Sequence, residues 1–281
     1  MISLRDFLIL TKFNLSFTVS LSLVFGFILS KNSIDFTLIN PFLAVLLLAL
    51  GVSALNQVQE YKEDSLMDRT KHRPVASGKI SVQKGFGISF ALIALSFLFI
   101  YLSLSFIGVL LFAFVIIMYN LFYTKAKKIT IYAAVYGAVL GVIPPLIGWI
   151  SAQGSVLDIG FISLGLFYFI WQIPHFWLLT LKYHKQYEKA SFPTVVKVFG
   201  VEGMERITFI WLLLTLIAGL YLTAIFANSM VITIILILVN LYTLFNIFKL
   251  RSEHNYLKTF ISINIFMLAL MILLVIDALI I

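Results

Sequence analysis

The chain has 281 residues, 62% of them apolar and only 11% charged, with a mean hydropathy of +1.07 and a net charge of +8. Those values lie far outside the globular range and point to a polytopic membrane protein rather than a water-soluble domain. With no cysteine, disulfides, thiolate nucleophiles and cysteine-ligated metals are excluded.

A hydrocarbon core about 30 Å thick needs roughly 20 apolar residues per helical crossing. Runs of that kind recur at about 14–30, 39–56, 85–105, 108–123, 131–152, 159–180, 207–226, 230–248 and 258–280. They are continuous and rich in Leu, Ile and Phe, whereas barrel strands would be about ten residues long and alternate apolar with polar. The expected fold class is all-α: a polytopic membrane helical bundle of about nine transmembrane helices. No linker or low-complexity tract divides it, so residues 1–281 read as one domain. Asp6 stands beside the first apolar stretch and no small-residue cleavage site follows it, so the first helix is expected to be retained.

Basic residues collect in short cytoplasmic loops. Nineteen of the 20 fall on one face, from Arg5 and Lys12 through the loops after the second, fourth, sixth and eighth helices to Arg251 and Lys258, and only Lys31 falls opposite. This predicts a cytoplasmic N-terminus, a C-terminus across the membrane, and active loops on the cytoplasmic side of the inner (cytoplasmic) membrane. The positive charge then reads as topology and contact with the lipid bilayer, not as nucleic-acid binding. Two loops are long, 57–84 and 181–206, four helices apart, a spacing that hints at a weak internal repeat with two polar lids facing one cavity.

In the first loop Asn56, Glu60 and Asp64 are spaced by four, which on a helix sets them on one face over about two turns. Their hard oxygens suit Mg2+ that keeps its waters and bridges to substrate phosphates, and Arg69, Lys71 and Arg73 just downstream could hold the phosphate oxygens. A solvated helix end would carry the same mixture of charges. Asp68 is less well aligned and could pair with a neighbouring Arg or Lys. In the second loop, Trp171 to Trp177 holds His175, which reads either as a cavity-facing site residue or as a histidine bonded at the interface. Pro144-Pro145, between Gly141 and Gly148, and Pro174 are expected to break or bend their helices.

The runs Asn56 to Pro74, Ile143 to Trp149 and Pro174-His175-Phe176-Trp177 resemble the protoheme IX farnesyltransferases, a branch of the UbiA superfamily of intramembrane prenyltransferases. The resemblance implies transfer of farnesyl from farnesyl diphosphate to a vinyl group of haem b, with Mg2+ as cofactor and a haem-handing partner in the respiratory oxidase pathway. It implies Asn56, Glu60 and Asp64 as catalytic metal ligands, joined by Glu188. Arg69, Lys71, Arg73 and Lys185 would bind diphosphate, and His175 and Trp177 the haem. Three positions depart from the family pattern: Glu60 stands for the usual Asp, Gln186 for an acidic residue in the second motif, and Phe13-Asn14 for Pro-Arg after Lys12. A quinone precursor or other aromatic acceptor keeps the same diphosphate site. A transporter would use broken helices in another way, but should carry polar groups deep in its helices. Asp64 is expected to be an exposed ligand, so that Asp64→Ala abolishes turnover with little loss of folding.

Overall fold

The computed structural model describes residues 2–280, apart from the side chains of 250–253; that of Arg251 therefore lies outside the described residues. All regular structure among them is helical: α1 (Leu4–Leu10), α2 (Phe13–Lys31), a short 3-10 turn (Phe36–Leu38), α3 (Ile39–Gln59), α4 (Tyr61–Leu66), α5 (Val82–Ile116), a π-helical stretch (Ile117–Tyr123), α6 (Thr124–Ile129), α7 (Ala133–Ser151), α8 (Ile159–Lys189), α9 (Val195–Phe226), α10 (Met230–Glu253) and α11 (Tyr256–Ile280). In a bilayer only such elements satisfy every backbone N–H and C=O internally.

Eight of these helical stretches are long and apolar enough to cross a membrane, one of them running from Val82 to Ile129. A straight helix of that span would measure about 72 Å, more than twice the hydrocarbon core. It is not straight. Leu104 and Ser105 leave helical geometry, Ser105 with a positive φ of 49°. Beyond the break the chain folds back, so that the Phe97 and Phe112 rings meet at 6.0 Å and a Cβ on Gly108 would fall 2.6 Å from Ile100 Cγ1. The stretch is a hairpin of two crossings, and nine crossings are recovered among the described residues.

Glycine lets α2 and α7 approach closely. A Cβ on Gly148 would lie 2.0 Å from the Leu23 carbonyl oxygen, and one on Gly26 2.2 Å from that of Pro145. The α2 and α7 backbones therefore touch, as small residues allow where lipid supplies no hydrophobic drive between helices. The outside of the bundle is apolar, with Phe90, Phe106, Tyr242 and Phe248 among many large side chains left exposed. This is the surface of an integral membrane protein.

Of the breaks or bends expected at proline, no break occurs, since α7 runs on through Pro144 and Pro145 and α8 through Pro174, and the two long loops prove partly helical. The prolines lie in packed interfaces, where neighbouring helices support a ladder with missing bonds. The loop 181–206 is mostly helix, because α8 continues to Lys189 and α9 begins at Val195, turning at Gly200 (φ 70°). The loop 57–84 likewise opens with the end of α3 and the short α4.

Two acids lie buried within span-length helices, Glu205 of α9 and Asp277 of α11. Asp277 accepts from the backbone N–H groups of Asn228 and Ser229, at 2.5 and 3.1 Å, and so satisfies donors at the start of α10.

Candidate active site

Asn56, Glu60 and Asp64 do not share one helix. α3 ends at Gln59, Glu60 is non-helical (φ −115°, ψ 13°), and α4 restarts at Tyr61. The spacing of four survives, because the Glu60 N–H donates to Asn56 O at 3.0 Å and the Asp64 N–H to Glu60 O at 2.8 Å. All three side chains are buried. The expectation of an exposed Asp64 is therefore wrong: it is 1% exposed, in a fold closed by Thr70 Oγ1 donating to the Asp64 backbone carbonyl.

Each of the three acceptors faces a cation. Arg73 Nη1 donates to both Asp64 carboxylate oxygens, at 2.9 and 2.8 Å. Lys127 Nζ lies 2.6 Å from the Glu60 carboxylate, and Lys12 Nζ donates to Asn56 Oδ1 at 3.0 Å. Asn56 Nδ2 in turn donates to Thr124 Oγ1 at 3.3 Å. Burial first, then the charges of Arg73 and Lys127, pull the Lys12 ammonium down to about 7 against the opposing influence of Glu60 and Asp64.

The π-helical stretch turns Asn120 inward. Its Nδ2 donates to the Val52 carbonyl and to Gln59 Oε1, and Gln59 Nε2 donates back to the Asn120 carbonyl, fixing the hairpin against the end of α3. Such π insertions are frequent at functional sites. Here it brings Tyr123, Thr124 and Lys127 against the acidic group. Gln57 ties the same end of α3 to the chain before α2, donating to the carbonyls of Ile9 and Leu10.

The end of α8 closes over the first loop. The Arg69 backbone N–H donates to Gln186 Oε1 at 3.3 Å, its guanidinium donates to the Tyr187 hydroxyl at 3.1 Å, and it lies over the Tyr183 and Tyr187 rings. Gln186 thus meets the first loop as an acceptor of a backbone bond. Glu188 is exposed and accepts from Thr194 Oγ1 at 2.8 Å, at the start of α9. Lys185 is exposed, and Lys71 is turned outward to pair with Asp68 at 2.6 Å.

His175 packs between Trp171 and Phe260, with ring centroids at 4.8 and 4.7 Å, and its Nδ1 is buried without a hydrogen-bond partner. Phe176 leads from it to Tyr123 (6.2 Å), whose ring lies under Lys127 Nζ (5.4 Å). Trp177 stands on another face of α8, against Trp211 of α9.

The side-chain oxygens of Asn56, Glu60 and Asp64 are of the kind magnesium takes. Each is held by a cation here, Glu60 Oε1 by Lys127 Nζ at 2.6 Å, and among the described residues no group of three His, Asp or Glu side chains is placed to hold a metal by itself. Hard oxygens in an open arrangement suit an ion that keeps waters and takes phosphate oxygens.

The UbiA prenyltransferase family model matches residues 18–273. The chain belongs to this family. A UbiA homolog from Archaeoglobus fulgidus, solved bound to GPP and Mg2+, superposes with a TM-score of 0.72 at 16% identity, covering 96% of this chain and 99% of that one, so the fold is the family's. Among sequence relatives, a protoheme IX farnesyltransferase of Ehrlichia canis is 32% identical over 267 residues, 91% of this chain and 87% of that protein. Another of that name from Oleidesulfovibrio alaskensis is 33% identical over 184 residues, 66% of this chain and 65% of that one, so the chain spans just under two thirds of that relative.

In this UbiA-family prenyltransferase, sequence reasoning missed Lys12 and Lys127 as site residues, having read them only as topogenic charges. A signal existed for the second: Asn120, polar within an apolar run, marks the helix face on which Lys127 follows two turns later.

Proposed function

We propose that the chain transfers a farnesyl group from farnesyl diphosphate to the outer carbon of a vinyl group of haem b, while a water adds its hydroxyl to the inner vinyl carbon and gives up a proton, so that haem O and diphosphate are formed. The whole chain would act as one prenyltransferase domain in the cytoplasmic membrane, N-terminus and active loops on the cytoplasmic side, with a haem-handing partner of the respiratory oxidase pathway taking the product. The observation that carries this reading is the buried cluster in which Asn56, Glu60 and Asp64 each face a cation, at one end of an apolar bundle. The names of the relatives support the acceptor, and the basic asymmetry of the loops supports the orientation.

When bound by Asn56, Glu60 and Asp64, with Glu188 a further candidate, Mg2+ would neutralise charge on the departing diphosphate. Arg73, Lys127 and Lys12 would then be released from the carboxylates and amide and could hold diphosphate oxygens, with Arg69, Lys71 and Lys185 as further cations nearer the surface. The surrounding helices exclude water from the allylic group until the acceptor reacts. His175, held between Trp171 and Phe260, supplies an unpaired nitrogen and an aromatic wall to the acceptor, whereas Trp177, about 200° round α8 and packed on Trp211 of α9, would meet the acceptor only at the far side of that helix.

Membranes containing the protein, incubated with haem b, farnesyl diphosphate and Mg2+, should yield a farnesylated haem by pigment mass analysis. The product should vanish with chelator, return with added Mg2+, and be missing for Asp64→Ala. Farnesylation of an added quinone precursor with haem b left unchanged would replace the acceptor; no diphosphate release with any acceptor would overturn the reading.

A further inference from the structure

A second polar group lies at the same end of the bundle as the acidic cluster but is separate from it. A cleft of about 330 Å³ opens between the end of α8 and the α10–α11 turn, lined by Lys182, His254, Asn255, Tyr256 and Leu257. Its floor is built. Glu205 of α9, 4% exposed, accepts from the Tyr256 hydroxyl at 2.5 Å and lies 2.7 Å from His254 Nδ1. His254 itself takes a left-handed backbone (φ 49°), which a non-glycine residue rarely adopts without surrounding support.

The helix faces that line the cleft also carry His175. On α8, Trp171, His175 and Lys182 lie within about 40° of one another around the axis, with Lys182 about 10 Å along from His175. On α11, Tyr256, Phe260 and Asn264 are spaced by four and share a face. Phe260 packs on His175, so the two stripes face each other. Protein-internal bonds leave His175 Nδ1 buried and unpartnered between the cleft and the acidic cluster. From His175 the path to the cluster continues through Phe176 and Tyr123 to Lys127.

A ligand bridging these groups needs an anionic end, a flat apolar body and a reactive far end. We propose that the cleft receives the carboxylates of the acceptor, the two propionates of haem b, with Lys182 as the cation and the Asn255 amide as a hydrogen-bond donor; this rests on the acceptor proposed above. The ring then lies along the His175 stripe, and the vinyl end, away from the propionates, points toward the diphosphate cluster. Glu205 is a positioning residue that fixes His254 and Tyr256.

The test compares haem b with its dimethyl ester, in which the anionic charge is removed. Lys182→Glu should raise KM for haem b about tenfold, the worth of a charge-assisted hydrogen bond, with KM for farnesyl diphosphate unchanged. For the dimethyl ester, wild type and Lys182→Glu should have equal KM. Glu205→Gln should raise KM for haem b more than it lowers kcat. Haem binding without farnesyl diphosphate, followed by the Soret band, should weaken in the same proportion. Equal effects of Lys182→Glu on haem b and on the ester would overturn the proposal, and would point to a lipid headgroup if added anionic lipid altered both alike. Wild-type haem binding untouched by Lys182→Glu would overturn the cleft while leaving the acceptor intact. A wild-type protein that neither binds nor farnesylates haem b, yet farnesylates another aromatic acceptor, would overturn both.

Discussion

Asp64→Ala should cost stability as well as activity. Asp64 is 1% exposed, and both its oxygens accept from Arg73 Nη1, while the Arg73 side chain retains 18% exposure. Removing one partner of a buried pair costs about 3–5 kcal/mol, chiefly because the surviving charge loses its partner. Since Arg73 can recover some water, the lower end applies, about 3 kcal/mol. At roughly 2–3 °C per kcal/mol in a chain of this size, the melting temperature in detergent should fall by about 6–9 °C. Asp64→Asn, which keeps one acceptor oxygen, should fall about half as far. Asp64→Ala with Arg73→Ala removes both charges and should regain most of the loss without regaining turnover. The assay pairs thermal unfolding by tryptophan fluorescence with diphosphate release. An unchanged melting temperature for Asp64→Ala, or a double variant as unstable as the sum of the singles, would refute the ion-pair reasoning.

Lys127→Met removes a competitor for the Glu60 carboxylate, so Mg2+ binding in the absence of substrate should tighten while turnover falls; weaker Mg2+ binding would count against it. Arg69→Lys keeps the charge but loses the planar stack over Tyr183 and Tyr187, worth about 0.5–1 kcal/mol at an exposed position, so KM for farnesyl diphosphate should rise about two- to fivefold. An unchanged KM would remove Arg69 from the substrate path. Gly148→Ala places a Cβ where it would lie 2.0 Å from the Leu23 carbonyl, and backbone cannot rotate aside as a side chain can. The melting temperature should drop by more than the several degrees that ordinary overpacking of about 1–3 kcal/mol produces; Gly87→Ala, with nothing near its Cβ, is the control.

The crossings were legible because bilayer thickness dictates run length, and even the Leu104–Ser105 turn fell beside the gap read between the third and fourth runs. The long loops misled because polarity marks where a helix leaves the hydrocarbon, not where it ends: α8 carries its ladder on to Lys189 with Lys, His and Gln on it. The prolines break no helix because a missing hydrogen bond is tolerated inside a packed interface. Within the candidate site, the spacing of four does bring Asn56, Glu60 and Asp64 together even though the helix is interrupted at Glu60. Lys12 and Lys127 reach them from 44 and 67 residues away in sequence, a pairing that spacing on one helix cannot reveal. Asp64 was misjudged for the same reason: its burial depends on the fold of residues 67–73 over it and on Arg73 from that segment.

The three cations against Asn56, Glu60 and Asp64 also bear on how the protein is made. A cluster of bare carboxylates at the membrane boundary would repel itself until a metal arrived, and would tie assembly of the bundle to metal supply. Because α1–α2, the turn after α4 and the second hairpin arm each contribute a counter-charge, those segments are drawn together electrostatically during biogenesis, before any ligand is present. The newly inserted chain thus needs no ligand to bring these segments together.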